Sequence, residues 1–135
     1  MGRAAKMSND FSLKQTINPA IANRADKYDT VEIDTVKVLK SYRKSLFSYE
    51  WLTPEGAIKT LDELSDSERV KRQEIGDLIA QGKPVPMPVL GIGVLNNVEI
   101  GIGRAAFLTL AAHGVDAIAV HIPKSNAKEF RSFLR

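Results

Sequence analysis

The sequence of 135 residues contains no cysteine, only two histidines and one tryptophan. Without cysteine it can form neither a disulfide framework nor a thiolate zinc site, which excludes the disulfide-rich secreted class. It also lacks any uninterrupted apolar run of the about 18 residues that a membrane span needs, and Met1 to Asp10 has no apolar middle of a secretion signal. We therefore expect a cytoplasmic protein without membrane contact.

A strong excess of one charge is also absent, because the formal net charge is only +3. The charge is nevertheless uneven. Residues 1–47 carry nine Lys or Arg against five Asp or Glu, residues 48–100 carry five against nine, and residues 101–135 carry five against two. Basic ends attract polyanions such as nucleic acid, although excesses of this size are also common on solvated surfaces.

The patterning divides the chain into three parts. Residues 1–28 have few spaced apolar positions and predict a flexible or partner-bound arm. Residues 29–123 alternate between strand-like and helix-like patterns and predict one α/β domain. Residues 124–135 predict a basic C-terminal helix or tail that docks through Phe130, Phe133 and Leu134.

Local signals place the elements of the central part. An apolar and polar alternation from Val31 to Val38 predicts the first strand. Thr53-Pro54-Glu55 predicts the start of a short helix that ends near Leu64. Capping residues and prolines then predict a helix from Ser65 or Ser67 to Gln81 and an extended connector from Pro84 to Pro88. A hairpin of Val89–Val94 with Val98–Ile102 is expected next. The last two elements of this part are a buried helix from Arg104 to His113 and a strand from Val115 to Ile122.

A basic and aromatic stretch follows the first strand. Its cations are Lys37, Lys40, Arg43 and Lys44, and its aromatic residues are Tyr42, Phe47, Tyr49 and Trp51. Single-stranded nucleic acid binds such mixtures, because its bases stack on rings while its phosphates meet cations. A structural explanation, in which the large rings are core anchors and the cations are solvated, is the alternative.

The sequence Gly101-Ile102-Gly103-Arg104 lies where a predicted strand gives way to a predicted helix. A helix N-terminus offers free backbone N–H groups, two glycines let a phosphate approach, and Arg104 adds a forked donor. This spacing predicts a phosphate-binding turn. The alternative is that the glycines only allow a tight turn; a dinucleotide-binding role is disfavoured, because only 32 residues follow Gly103.

The order of these elements resembles the ParB/sulfiredoxin-like superfamily. The resemblance covers roughly Thr30 to Pro123 and is strongest from Gly82 onward, through Gly82-Lys83-Pro84, Val98 to Ala106 and Ile118 to Pro123. It implies an α/β (α+β) fold with a small mixed sheet on which helices pack. Gly101 and Arg104 match the family's turn, whereas Ile100 and Gly103 replace its acid and its histidine. The missing cysteine excludes sulfiredoxin activity.

The resemblance implies two functions from different classes. One is a nucleic-acid-associated protein of plasmid, phage or toxin type that binds a nucleoside triphosphate or cleaves phosphodiesters with Mg²⁺. In this case Glu99 would hold the metal and Arg104 would stabilise the developing charge. The other is a catalytically inactive ParB-like module that binds a protein partner and inhibits a conjugation, defence or host enzyme. The two histidines are expected to be structural, His113 near a helix C-terminus and His121 on a strand surface.

Overall fold

The computed structural model describes residues 13–135. In that range the strands are β1 (Gln15–Thr16), β2 (Tyr28–Asp34), β3 (Val85–Pro86), β4 (Val89–Ile92), β5 (Val98–Ile102) and β6 (Ala117–Pro123). The α-helices are α1 (Thr35–Tyr42), α2 (Asp66–Ala80), α3 (Arg104–Ala112) and α4 (Ala127–Phe130). Short 3₁₀ helices lie at Pro19–Lys27, Ser48–Glu50, Leu61–Glu63, Lys124–Asn126 and Arg131–Phe133.

Four strands form one sheet in the order β2-β6-β4-β5. Strand β6 is antiparallel to β2 along its whole length, and β4 and β5 form an antiparallel hairpin. Strand β4 runs parallel to β6, with Val89 beside His121. The sheet is therefore mixed, which confirms the predicted α/β class with a small mixed sheet. Strands β1 and β3 form a separate parallel pair.

Helices cover this sheet and enclose the core. Helix α2 packs on α3, and α1 packs on β5. Every residue of α3 from Ala106 to Leu110 is buried, as expected for a mostly apolar helix, with Thr109 the polar residue among them. The largest fully buried side chains outside the sheet are Tyr42, Trp51, Phe107 and Phe130. The core therefore joins residues from nearly the whole described chain.

Several predicted elements are confirmed. Helix α2 ends before Gly82, whose φ of +68° suits a left-handed cap. The β4–β5 hairpin turns at Asn96, which has a φ of +60°. The short helices after β6 bury Phe130, whose ring lies edge-on to Phe133 with ring centroids 5.9 Å apart.

The prediction of a strand through Val38 is wrong beyond Asp34. The Asp34 carboxylate accepts a hydrogen bond from the Lys37 backbone N–H at 3.1 Å and caps α1. In the resulting helix, Val38 is fully buried while Val36 is exposed. Val36 and Val38, which are two residues apart, fit a strand pattern, but the Asp34 cap starts a helix instead.

The helix predicted from Pro54 to Leu64 is also absent from the structure. The backbone instead turns back at Gly56, whose φ is +89°, and Leu52 pairs with Ile58 in an isolated antiparallel bridge. The turn is closed by hydrogen bonds between Thr53 and Ala57. Only Leu61–Glu63 is helical, as a 3₁₀ turn that Thr60 caps. A capping pattern without a following apolar stripe therefore did not make a helix.

The predicted arm without core contacts is wrong for residues 13–28, while residues 1–12 lie outside the described part of the chain. Ile21 is 1% exposed. The Gln15 side chain donates to the Ala119 carbonyl at 2.9 Å and accepts from the Ala119 N–H at 3.0 Å. These paired amide hydrogen bonds connect β1 to strand β6 of the four-stranded sheet, a contact that the local sequence does not reveal.

Within the described residues, no helix is both long enough and apolar enough to cross a membrane.

Candidate functional site

The Gly101–Arg104 turn joins β5 to α3, as predicted. Gly103 is the N-cap of α3 and has a φ of +80°, in the left-handed region that favours glycine. A Cβ atom on Gly103 would lie 3.1 Å from the Pro88 Cα, which is tighter than ordinary packing. A Cβ on Gly101 would only meet the Val89 carbonyl oxygen at 3.7 Å. Gly103 thus serves the turn and its packing, which was the structural alternative.

A cleft of about 570 Å³ opens at this turn, and we call it the turn cleft. Of the predicted phosphate-binding residues, Gly101, Gly103 and Arg104 line it, whereas Ile102 does not. Its charged lining residues are Glu68, Lys71, Glu74, Glu99 and Arg104. Three carboxylates against two cations make the lining slightly acidic, which disfavours a phosphate.

Arg104 is held by two carboxylates. Its Nη1 donates to Glu50 at 2.6 Å and its Nη2 donates to Glu68 at 2.9 Å. Burial lowers the pKa of Arg104, but the hydrogen bonds to Glu50 and Glu68 raise it more, so its pKa is raised. The charge that was predicted to meet a phosphate is therefore already neutralised within the protein.

Glu68 is the centre of this network and was not recognised as a site residue from the sequence. Besides Arg104, its carboxylate accepts from the indole N–H of Trp51 at 2.8 Å and from Lys71 at 3.2 Å. Burial raises the pKa of Glu68, but these three hydrogen bonds lower it to about 2. A charged carboxylate that is 7% exposed is thereby stabilised.

No local pattern could have identified this network. The three partners of Glu68 lie three, 17 and 36 residues away in the chain, and only the closest spacing is a helical one.

Glu99 lines the turn cleft, and its carboxylate is also engaged. It accepts from the Ser45 hydroxyl at 2.6 Å and from the Asn97 amide at 3.0 Å. Among residues 13–135, no group of three Asp, Glu, His or Cys side chains converges in a way that could hold a metal ion. The residues at the turn therefore do not fit Mg²⁺, which takes several oxygen ligands, and we derive no metal-dependent step.

A second cleft, of about 700 Å³, is formed by the end of α1 and the 52–59 turn. We call it the basic cleft, because its charged lining residues are Lys40, Arg43, Lys44 and Lys59. The structure thus brings together three of the four residues predicted to bind nucleic acid. Lys37 does not line the cleft, and Lys59 was missed because it is 15 residues beyond Lys44.

His121 is buried, not on a strand surface as predicted. Its Nε2 accepts from the Asn18 backbone N–H at 3.1 Å, and its Nδ1 is 3.0 Å from the Thr30 hydroxyl. Burial lowers the pKa of His121. The neutral ring therefore links β6 to the segment before Pro19. His113 is the C-cap residue of α3, in agreement with the prediction.

Comparison with known proteins gives a likeness of fold. A solved structure described as the Oncogenic Suppression Activity Protein, a plasmid fertility inhibition factor in its gold(I) cyanide derivative, is similar with a TM-score of 0.58 and 16% sequence identity. The match covers 84% of this chain and 60% of that chain. No family model matches the sequence, and no curated protein matches it. The chain thus shares an α/β fold with a protein that is described as an inhibitor.

Proposed function

We propose that the chain is a degenerate ParB-like domain that acts without catalysis, as a protein-interaction module that inhibits an enzyme of plasmid conjugation. The observation that carries the proposal is the pairing of Arg104 with Glu50 and Glu68. A turn whose cation is bound inside the protein supports a structural role for the motif better than a role in phosphate chemistry. This is the interaction alternative of the two functions that the sequence predicts.

The 46–49 segment supports binding to a protein partner. Leu46 is 73% exposed and Phe47 is 62% exposed, although neighbouring Ser45 and Ser48 are buried. The Ser48 hydroxyl donates to the Ser45 carbonyl at 2.9 Å, and the Ser45 hydroxyl accepts from the Phe47 N–H at 3.1 Å. These bonds fix the segment while its apolar side chains point to solvent. Large apolar residues held in this way are typical of interface anchors.

The similar structure lends support of a different kind. That protein is described as a plasmid fertility inhibition factor. The shared fold makes inhibition of plasmid fertility the first activity to test for this chain. Fold alone does not determine function, so the test must be on the activity itself.

A mating assay tests the proposal. Donor cells that carry a conjugative plasmid and express this chain should transfer the plasmid at least tenfold less often, on the order of one decade, than donors with an empty vector. Phe47→Asp should restore transfer, because it places a charge in the apolar contact. Val94→Asp is the matched control, since Val94 is 99% exposed on the β4–β5 turn, and it should leave inhibition intact.

Two results would overturn the proposal. One is unchanged transfer in the presence of soluble, folded protein. The other is strong stabilisation of the folded chain by a nucleoside triphosphate or Mg²⁺, which would support phosphate binding at the Gly101–Arg104 turn.

A further inference from the structure

We propose that the basic cleft is a binding site for single-stranded nucleic acid. In this site the four cations bind phosphates and the ring of Tyr49 stacks on a base. The inference goes beyond the proposed inhibition and does not depend on it. It rests on a surface that the turn cleft and its ion pairs do not use.

The charge of the basic cleft is of one sign. No carboxylate is among its lining residues. Among residues 13–135, the ion pairs shorter than 4 Å include none made by Lys40, Arg43, Lys44 or Lys59. Lys59 does help to lower the pKa of Glu63, after the hydrogen bonds from Thr60, so its charge is partly shared. The other three cations are exposed and available to an anion.

Arg43 has a prepared position in this cleft. Its guanidinium lies against Gly56, at a point where a Cβ atom would collide with the Arg43 Nε and Cζ. Gly56 has a φ of +89° in a turn that the Thr53–Ala57 hydrogen bonds hold closed. A glycine in this conformation therefore provides the space that the guanidinium occupies. The guanidinium thus lies in the wall of the basic cleft, where its forked donors can meet a phosphate.

The rest of the lining fits a base rather than a second phosphate. Tyr49 is 67% exposed, and Leu52 and Pro54 supply an apolar wall. Aromatic faces stack on unpaired bases and contribute about 1–3 kcal/mol for each base. In a duplex the bases are stacked on each other and unavailable to Tyr49, and an acidic peptide offers no flat ring. The combination therefore favours a single strand over both.

Fluorescence anisotropy with a labelled oligothymidine of about twenty nucleotides tests the proposal, since this length exceeds the site of one small domain. The double variant Lys40→Ala/Lys44→Ala should bind at least about tenfold more weakly. For this variant, the slope of log K against log salt concentration should be smaller in magnitude by about 1.4, because two phosphate contacts that contribute about 0.7 each are lost. Tyr49→Ala should weaken binding about tenfold with an unchanged salt slope.

Matched controls separate the site from general attraction. Lys124→Ala/Lys128→Ala removes two exposed cations of the C-terminal segment and should leave affinity nearly unchanged. Gly56→Ala displaces the Arg43 guanidinium and should weaken binding, and a thermal unfolding scan of each variant confirms that it is folded. Polyglutamate and a duplex of equal charge should compete poorly.

The proposal is overturned if the C-terminal double variant loses as much affinity as the Lys40 and Lys44 variant. It is also overturned if polyglutamate or duplex competes as well as the single strand, because the cleft would then recognise charge alone or a different partner. Since these measurements need no donor cells, their failure is distinct from a failure of the mating assay.

Discussion

At the scale of single residues, the behaviour of Arg104 depends on what surrounds it more than on its motif. Next to two glycines at a helix start, an arginine is a reasonable phosphate ligand. Here Glu50 and Glu68 bind its two terminal guanidinium nitrogens, Nη1 and Nη2. Arg104 therefore links the 3₁₀ helix Ser48–Glu50 and α2 to α3, and its charge is not available to a phosphate.

Glu68→Gln should destabilise the fold by about 3 kcal/mol, because Arg104 loses a buried ionic partner. The pKa of the wild-type carboxylate is about 2, below its unfolded value, so its contribution is complete above about pH 4.5 and is lost as the pH falls toward 2. Urea unfolding at pH 7 and at pH 3 measures both effects. The wild type should lose more stability between these pH values than the variant does.

Glu74→Gln is the control for that experiment, since Glu74 lines the same cleft but is exposed. It should change the free energy of unfolding by less than about 0.5 kcal/mol. An equal loss in the two variants would show that general cleft charge, not the network around Glu68, stabilises the fold.

His121 should make stability depend on pH near neutrality. Its folded pKa is lowered by burial, so between that value and about 6.5 the unfolded chain binds a proton that the folded chain does not. The free energy of unfolding should therefore fall as the pH decreases below about 6.5, by at most about 1.4 kcal/mol per pH unit for one proton. Chemical unfolding between pH 7 and pH 5 measures this slope.

His121→Gln should flatten the dependence, because the variant has no ring to protonate at this position. A slope that persists unchanged in His121→Gln would show that the buried ring is not the titrating group.

At the scale of elements, the β5–α3 turn shows how a binding motif and a folding motif coincide. Gly103→Ala should destabilise by about 1–2 kcal/mol from its left-handed conformation, with a further loss from the contact to Pro88. Gly101→Ala is the matched change two residues earlier, where the added Cβ makes only an ordinary contact. It should alter stability by less than about 0.5 kcal/mol. Urea midpoints compare the two, and equal losses would contradict the conformational explanation.

The elements also show where sequence patterns are ambiguous. Helix α3 and the β4–β5 hairpin were predictable because their glycines, asparagines and apolar runs act locally. The first turn of helix α1 was predicted as strand because Val36 and Val38 have the two-residue spacing of a strand, and the cap from Asp34 that starts the helix is a single 3.1 Å hydrogen bond. The stretch after Pro54 had a helix start but no buried face, so tertiary packing made it a turn.

At the scale of the whole molecule, the chain places two clefts on either side of one segment. Tyr42 and Phe47 line the turn cleft, while Arg43, Ser48 and Tyr49 line the basic cleft. A protein partner on Phe47 and a nucleic acid on Tyr49 would therefore be neighbours. We expect Phe47→Ala, which removes the ring without adding a charge, to leave oligothymidine affinity unchanged, because Phe47 is outside the basic cleft. A loss in the anisotropy assay would show that the two surfaces are one site.

The sequence by itself determined the α/β class, the hairpin, helices α2 and α3 and the concentration of cations between Lys40 and Lys44. These features depend on local periodicity, caps and charge, which are written in neighbouring residues. Only the tertiary structure decided that Arg104 meets Glu50 and Glu68, that His121 is buried and that Lys59 joins the basic cleft. Each of these depends on contacts between residues far apart in the chain, and burial at such contacts sets which charges are neutralised and which remain exposed.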